Sequence, residues 1–269
     1  MRKAVRKLRA GNPRRAVSAL VHPHHTETRI VTAKARVAAH LREIHGNRVA
    51  HGPFRGMRLP EHASWGQSDV SAKILAVYER QITDRLVDLA DPKGGLIDLG
   101  AADGYFAVGA LFAGLFASCH AFEAREKARA GLAKTADLNG VADKLNIAGE
   151  ATGPDVAAAA ETLASGVVLC DIEGAEFTLL TASVLARLSH LSVIIELHDF
   201  LLEDGAAQRQ ALTTRAAEVF EISTIRAASP DIWAFPELDS FDDDHRMLAF
   251  SEGRDRATDW LVLRPLSHG

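Results

Sequence analysis

Residues 94–105 read Gly-Gly-Leu-Ile-Asp-Leu-Gly-Ala-Ala-Asp-Gly-Tyr. An apolar run ends at Asp98, a turn carrying Gly100 and Gly104 follows, and an apolar helical pattern then runs from Tyr105 to Ala117. Strand, tight glycine turn and helix together are how an α/β sheet offers backbone N–H groups and a helix N-terminus to a ligand. The turn places a ligand site at the carboxyl end of a first strand.

Outward from that turn the chain alternates. Strand 95–100 precedes helix 104–117, strand 118–123 precedes helix 125–139, and strand 144–149 precedes an alanine-rich helix at 155–164. Strand 166–171 leads to helix 175–190, strand 192–198 to helix 205–219, and strand 221–227 follows. Continuous apolar strands alternating with helices predict a mostly parallel sheet covered on both faces. Before the first strand, Val70, Ile74, Leu75, Tyr78, Ile82, Leu86 and Leu89 recur at helical spacing, which predicts one helix over 69–90 that Asp91-Pro92 ends. Residues 229–257 break the pattern with Pro, Asp and Phe, and read as a lid or loop on the acceptor side before a last strand at 259–265.

The bulk numbers fit one domain with an appendage. The 269 residues are 47% hydrophobic and 25% charged, ordinary values for a globular chain. Cys119 and Cys170 lie in apolar strands and read as buried thiols in a reducing compartment. No apolar run approaches the roughly 18 residues of a membrane span, and no signal-peptide core is evident, so a cytoplasmic location is expected. Residues 1–50 carry 12 Lys/Arg against 2 Asp/Glu, while the net charge of the whole is −4. The division expected is therefore a basic arm with short helices at 1–60, one of them around 30–44, and a body at 61–269. Such an arm suits an anionic surface or the acidic body itself. His22, His24 and His25 lack partner ligands at useful spacing and read as a loop.

Ligands of open α/β sheets lie across the carboxyl strand ends. The polar residues there are Asp98, Glu123, Glu150, Asp171 with Glu173, and Glu196 with His198 and Asp199. Glu123 follows the glycine turn by about 20 residues, where an acidic side chain accepts ribose hydroxyls. That fits NAD or S-adenosylmethionine. Asp103 inside the turn would repel a diphosphate and favours the cationic sulfonium ligand.

The run Ile97-Asp98-Leu99-Gly100-Ala101-Ala102-Asp103-Gly104-Tyr105-Phe106 resembles the first motif of class I S-adenosylmethionine-dependent methyltransferases. Ala121-Phe122-Glu123-Ala124, Asp171-Ile172-Glu173-Gly174-Ala175-Glu176 and Ile194-Ile195-Glu196-Leu197-His198-Asp199 resemble the FkbM-type members more narrowly. The resemblance spans residues 70–200. Ala102 stands in place of the wider class's middle glycine, and Ala124 where FkbM-type chains often have proline.

The resemblance implies a Rossmann-like class I methyltransferase fold, a seven-stranded mostly parallel sheet with helices on both faces and the last strand antiparallel. Asp98, Gly100, Ala102, Gly104 and Tyr105 would shape the methionine end of the cofactor site, and Glu123 with Ala124 the ribose end. Glu150 would face the adenine, Asp171 would border the cofactor, and Lys73, Tyr78 and Glu79 would close over it.

Methyl transfer to a hydroxyl needs alignment and removal of a proton. His198 is the candidate base, with Glu196 and Asp199 to orient it. Alternatively Asp171, Glu196 and Asp199 hold Mg²⁺ and bind a substrate diol. No Asn/Asp-Pro-Pro-Tyr/Phe run and no Pro-Cys pair is present, which disfavours methylation of DNA base amines and pyrimidine carbons. The first expectation is O-methylation of a sugar or other small hydroxyl acceptor, with Trp233, Phe235 and Phe241 lining its pocket. RNA methylation, a non-catalytic nucleic-acid or membrane-binding module, and an NAD-dependent oxidoreductase stay open. So does a homo-oligomer.

Overall fold

The computed structural model describes residues 23–61, 69–226, 230–254 and 256–266. Seven strands form one sheet: β1 (Asp91–Leu99), β2 (Phe116–Phe122), β3 (Leu145–Ala148), β4 (Gly166–Cys170), β5 (Ser192–Glu196), β6 (Phe220–Arg226) and β7 (Asp259–Pro265). Their order is β3-β2-β1-β4-β5-β7-β6. β1 to β5 run parallel, and β7 is antiparallel to both β5 and β6. This is the Rossmann-like, seven-stranded and mostly parallel sheet expected, with helices on both faces and the antiparallel last strand inserted beside β5.

The sheet sorts its side chains by the two-residue period of a strand. Leu96, Val167, Leu169 and Ile194 face one apolar cluster, while Ile97, Val168, Cys170, Val193 and Ile195 face the other. The first cluster takes residues from α1 (Pro23–His45), α2 (Val70–Ile74), α3 (Arg80–Asp88), α4 (Tyr105–Phe112) and α5 (Glu126–Asn139). The second takes α6 (Gly153–Glu161), α7 (Glu176–Leu179), α8 (Ala182–Arg187) and α9 (Gly205–Ala216). Both faces are thereby covered, which is why the buried stretches of the central strands are apolar except at their carboxyl ends, where Asp98 and Glu196 stand. Cys119 and Cys170 are buried free thiols. No helix among the described residues is long and apolar enough to cross a membrane.

Three expectations are corrected. The helix over 69–90 is two helices, because Ala76 (φ 57°) and Glu79 (φ 41°) are left-handed and end the regular hydrogen bonding. The helix over 175–190 divides into α7 and α8, since Thr181 starts a new helix by accepting from the Val184 N–H at 3.3 Å. The loop at His24 and His25 is the first turn of α1; His22 lies outside the described residues. The stretch expected to be an arm also shares the core: Val37, Leu41, Val49, Phe54 and Met57 are buried in the first cluster. Residues 1–22 lie outside the described residues. The irregular region contains a short 3₁₀ turn (Pro236–Leu238) and α10 (Asp243–Ala249), the latter capped by Asp242 accepting from the His245 N–H at 2.9 Å.

Candidate active site

The sheet reverses its winding between β1 and β4, and at such a switch point the loops leave the strands in opposite directions and open a crevice. A cleft of about 1290 Å³ lies there. Gly100 turns the chain out of β1 at φ 90°, and a Cβ on it would stand 1.7 Å from the Asp171 carbonyl oxygen. Only glycine lets the β1 and β4 ends approach so closely. Ala102 continues the turn with φ 48°.

At one end of the cleft, Glu123 leaves β2 buried but facing the opening. One carboxylate oxygen accepts from the Ala102 N–H at 3.0 Å and the other from the Arg125 N–H at 2.8 Å. Ala124, Arg125 and the exposed Glu150 complete this end. Gly100 and Ala102 line the floor.

Asp98, Gly104 and Tyr105 do not line the cleft. Asp98 is buried beneath it with one oxygen unpartnered, and burial, then the Asp171 charge, push its carboxyl up to about 7. Tyr105 packs against Phe54, Tyr78 and Phe106. Asp103 corrects the argument drawn from the glycine turn. Its carboxylate is buried and paired inside the protein with Lys73 Nζ at 3.5 Å, and Asp69 holds the same ammonium at 2.8 Å. Its charge is answered before any ligand arrives. The bias against a diphosphate comes instead from the cleft, where carboxylates outnumber Lys and Arg side chains.

The other end is built from β4 and β5. His198 is 5% exposed, and its Nε2 faces Glu173 at 3.4 Å and Asp171 and Glu196 at 3.7 Å. Its Nδ1 lies 3.5 Å from Glu176 and makes no hydrogen bond. Burial lowers the imidazole's proton affinity, but Glu176, Asp171 and Glu173 outweigh it and hold the group above its ordinary value. Burial, then the neighbouring Glu196, pushes Asp171 well up, and burial brings Glu196 to about 7. Two carboxyls so close do not both ionise freely.

Asp199 does not join this cluster. It opens a 3₁₀ turn, its carboxylate is 3.9 Å from Arg209, and it is absent from the cleft wall. The three groups whose ligand atoms lie within 4.8 Å of one another are Asp171, Glu196 and His198. The metal set expected from sequence is corrected at that position, because the turn after Leu197 sends successive side chains to different sides.

Three residues to which the sequence assigned no role complete the site. Arg254 bonds Glu79 and Glu196, and also Glu252 at 2.7 Å. Thr258 donates to Glu196 at 2.5 Å, and Glu176 accepts from the His198 and Gly174 N–H groups at 2.8 Å. Glu173, expected beside Asp171 at the end of β4, stands on a left-handed backbone (φ 53°). Glu79, expected to close over the cofactor, is 1% exposed and tied to Arg254. Trp233, Phe235 and Phe241 do not line the cleft: Trp233 lies under Arg246, Phe235 packs on His51 and Phe250, and Phe241 on His40 and His245. Glu252, Gly253, Arg254 and Arg256 represent the irregular region instead.

No family model and no curated protein matches the chain. Solved structures similar in chain path include an O-methyltransferase from Bacillus cereus in complex with S-adenosylhomocysteine, at 12% identity, covering 70% of this chain and 82% of that one with a TM-score of 0.47. A ribosomal protein L11 methylase from Lactobacillus delbrueckii subsp. bulgaricus is similar at 18% identity, covering 78% and 84% with a TM-score of 0.43. A protein of the NADB-Rossmann superfamily from Streptococcus agalactiae is similar at 15% identity, covering 68% of this chain and 66% of that one with a TM-score of 0.43.

Proposed function

We propose that this chain is an S-adenosylmethionine-dependent O-methyltransferase of the FkbM type, acting on a hydroxyl of a small acceptor. One observation carries the reading. A hydrogen-bonded carboxylate at the end of β2, Glu123, and a carboxylate-surrounded imidazole at the end of β5, His198, face the same cleft across the switch point. The first suits ribose hydroxyls and the second a proton in transfer.

The residues present fit the cofactor. Each Glu123 oxygen keeps acceptor capacity beyond its backbone bonds, because an ionised carboxylate offers about four lone-pair sites. Gly100 and Ala102 leave the floor without bulky side chains, and the acidic lining favours a cationic ligand. S-adenosylmethionine supplies an activated methyl group when bound. What the chain adds is alignment and deprotonation: His198 Nε2 accepts the proton of the acceptor hydroxyl as the oxygen takes the methyl group. Glu176 steadies the backbone of His198, and Asp171 and Glu173 stabilise the imidazolium that forms.

Calorimetry with S-adenosylmethionine and S-adenosylhomocysteine tests the cofactor half. Micromolar binding of both is expected, and no binding of either at millimolar concentration would overturn the reading.

The grouping of Asp171, Glu196 and His198 favours a second reading of the chemistry, in which these three hold a divalent cation such as Mg²⁺. That cation would polarise the hydroxyl as a Lewis acid. Transfer that survives EDTA excludes it.

A further inference from the structure

Resting on the methyl-transfer reading, we propose that the acceptor carries a protonated amine beside the hydroxyl that is methylated, and that Glu173, with Asp171 behind it, binds that ammonium. Nearly every carboxylate around the cleft has a partner within the chain. Glu123 takes two backbone N–H groups, Glu176 takes two more, and Asp69 shares Lys73 with Asp103. Glu79, Glu196 and Glu252 share Arg254. Asp171 and Glu173 differ, as does the exposed Glu150 at the opposite end of the cleft. Among the described residues the group within ion-pair distance of Asp171 or Glu173 is His198, at 3.7 and 3.4 Å. One Asp171 oxygen is buried without a hydrogen bond.

The second observation is His198 itself. Its side chain is 5% exposed, its Nδ1 has no hydrogen-bond partner, and its Nε2 faces Asp171 and Glu173 as well as Glu196, which Arg254 already pairs. An atom that gives its proton to Nε2 therefore sits within reach of both carboxylates. An anionic acceptor meets repulsion at that point, whereas a cationic one is attracted. Asp171 lies behind, its carbonyl against the β1 turn, and Glu173 stands in front with 59% of its side chain exposed. Glu173 is thus the carboxylate an incoming acceptor meets. An ammonium there satisfies Glu173 without displacing any existing bond. Its neighbouring hydroxyl then falls against His198. The class of acceptor is an amino alcohol or amino sugar whose amine is free.

Transfer of a labelled methyl group from S-adenosylmethionine to a panel of amino alcohols and amino sugars, each paired with its N-acetylated form, tests this. N-acetylation keeps the body and the hydroxyls but removes the charge. Free amines should exceed their acetylated partners at least tenfold in kcat/KM. Glu173→Gln should raise KM for the amine about fivefold, the scale of a part-exposed ion pair, and leave S-adenosylhomocysteine affinity unchanged. Glu173→Lys should abolish the preference. Equal use of both forms, transfer restricted to acetylated members, or no transfer to the panel by a protein that binds S-adenosylhomocysteine would each overturn the ammonium site. Activity that EDTA abolishes and Mg²⁺ restores would overturn it too, by assigning Asp171 and His198, with Glu196, to a metal. A protein that binds neither S-adenosylmethionine nor S-adenosylhomocysteine overturns the underlying reading instead.

Discussion

The two ends of the cleft are built from the same kind of residue and behave differently. At the β2 end Glu123 is ordered by two backbone N–H groups on opposite sides of its carboxylate. At the β4–β5 end Asp171, Glu173 and Glu196 crowd one imidazole, and burial pushes Asp171 and Glu196 up out of the carboxylate range. A carboxylate held by fixed dipoles keeps its place, which is what recognition needs. Groups that share too few protons change charge readily, which is what proton transfer needs. On the proposed reading, the difference suits the first end to binding and the second to chemistry.

The hardest test of that division is His198→Ala. Turnover should fall about 1000-fold, within the range of general-base removal, while S-adenosylhomocysteine affinity measured by calorimetry stays within a factor of two or so of the unmodified protein. Unchanged turnover would mean the acidic end is not the chemical end.

Asp98 lies below the floor between the two ends and gives a stability test with a definite sign. Its folded carboxyl titrates at about 7, raised by burial; in the unfolded chain it titrates near 3.9. The folded state therefore holds the proton more tightly. The stability this contributes is full below about pH 4 and is lost as pH rises through 7. Asp98→Asn removes the buried charge while its amide oxygen can still accept a backbone bond. The variant should gain roughly 3 kcal/mol over the unmodified protein at pH 8 relative to pH 4. Denaturant unfolding at the two pH values measures this, and a pH-independent difference would contradict it.

The strand ends were legible from the sequence, because apolar runs, glycine turns and strand-terminal acids recur at the spacing of βα units. Glu123 and His198 follow from that spacing alone. What escaped depended on contacts far apart in the chain. Arg254 reaches residues 79 and 196 across 175 and 58 positions, and no local pattern marks it. Asp103 reads as part of a ligand site because its ion partner, Lys73, lies far from the turn in sequence, on α2. The aromatic residues of 229–257 suggest a pocket, but the core beside α1 takes Phe235 and Phe241, and Trp233 stays exposed beneath Arg246. Periodicity also missed the break at 75–79, since Ala76 and Glu79 adopt left-handed backbone without the glycine that usually announces it.

Arg254 ties the acidic end to the C-terminal strand region. Arg254→Met leaves Glu79 and Glu196, both 1% exposed, without their shared cation. Removing one partner of a buried pair costs about 3–5 kcal/mol. Arg254 is 29% exposed, and the stranded carboxyls can take up protons, so a loss of about 2 kcal/mol is expected. Arg254→Lys should recover part of it. Thermal unfolding of the two variants at pH 7 decides this, and equal stability of Met and Arg would show the guanidinium to be a bystander.

The gentlest test falls on the binding end. Glu123→Gln keeps an oxygen to accept from Ala102 or Arg125 but puts an amide where the other backbone donor points, and it removes the charge that ribose hydroxyls would meet. A hydrogen bond to a charged acceptor is stronger than one to a neutral acceptor by about 1–1.5 kcal/mol. S-adenosylhomocysteine should accordingly bind about tenfold more weakly. With saturating cofactor, turnover should remain near that of the unmodified enzyme, the inverse of the His198→Ala result. The pairing of these two outcomes is what separates the ends. If Glu123→Gln lowered saturated turnover as strongly as affinity, the β2 carboxylate would be acting in the transition state, and the cleft would be one site rather than two.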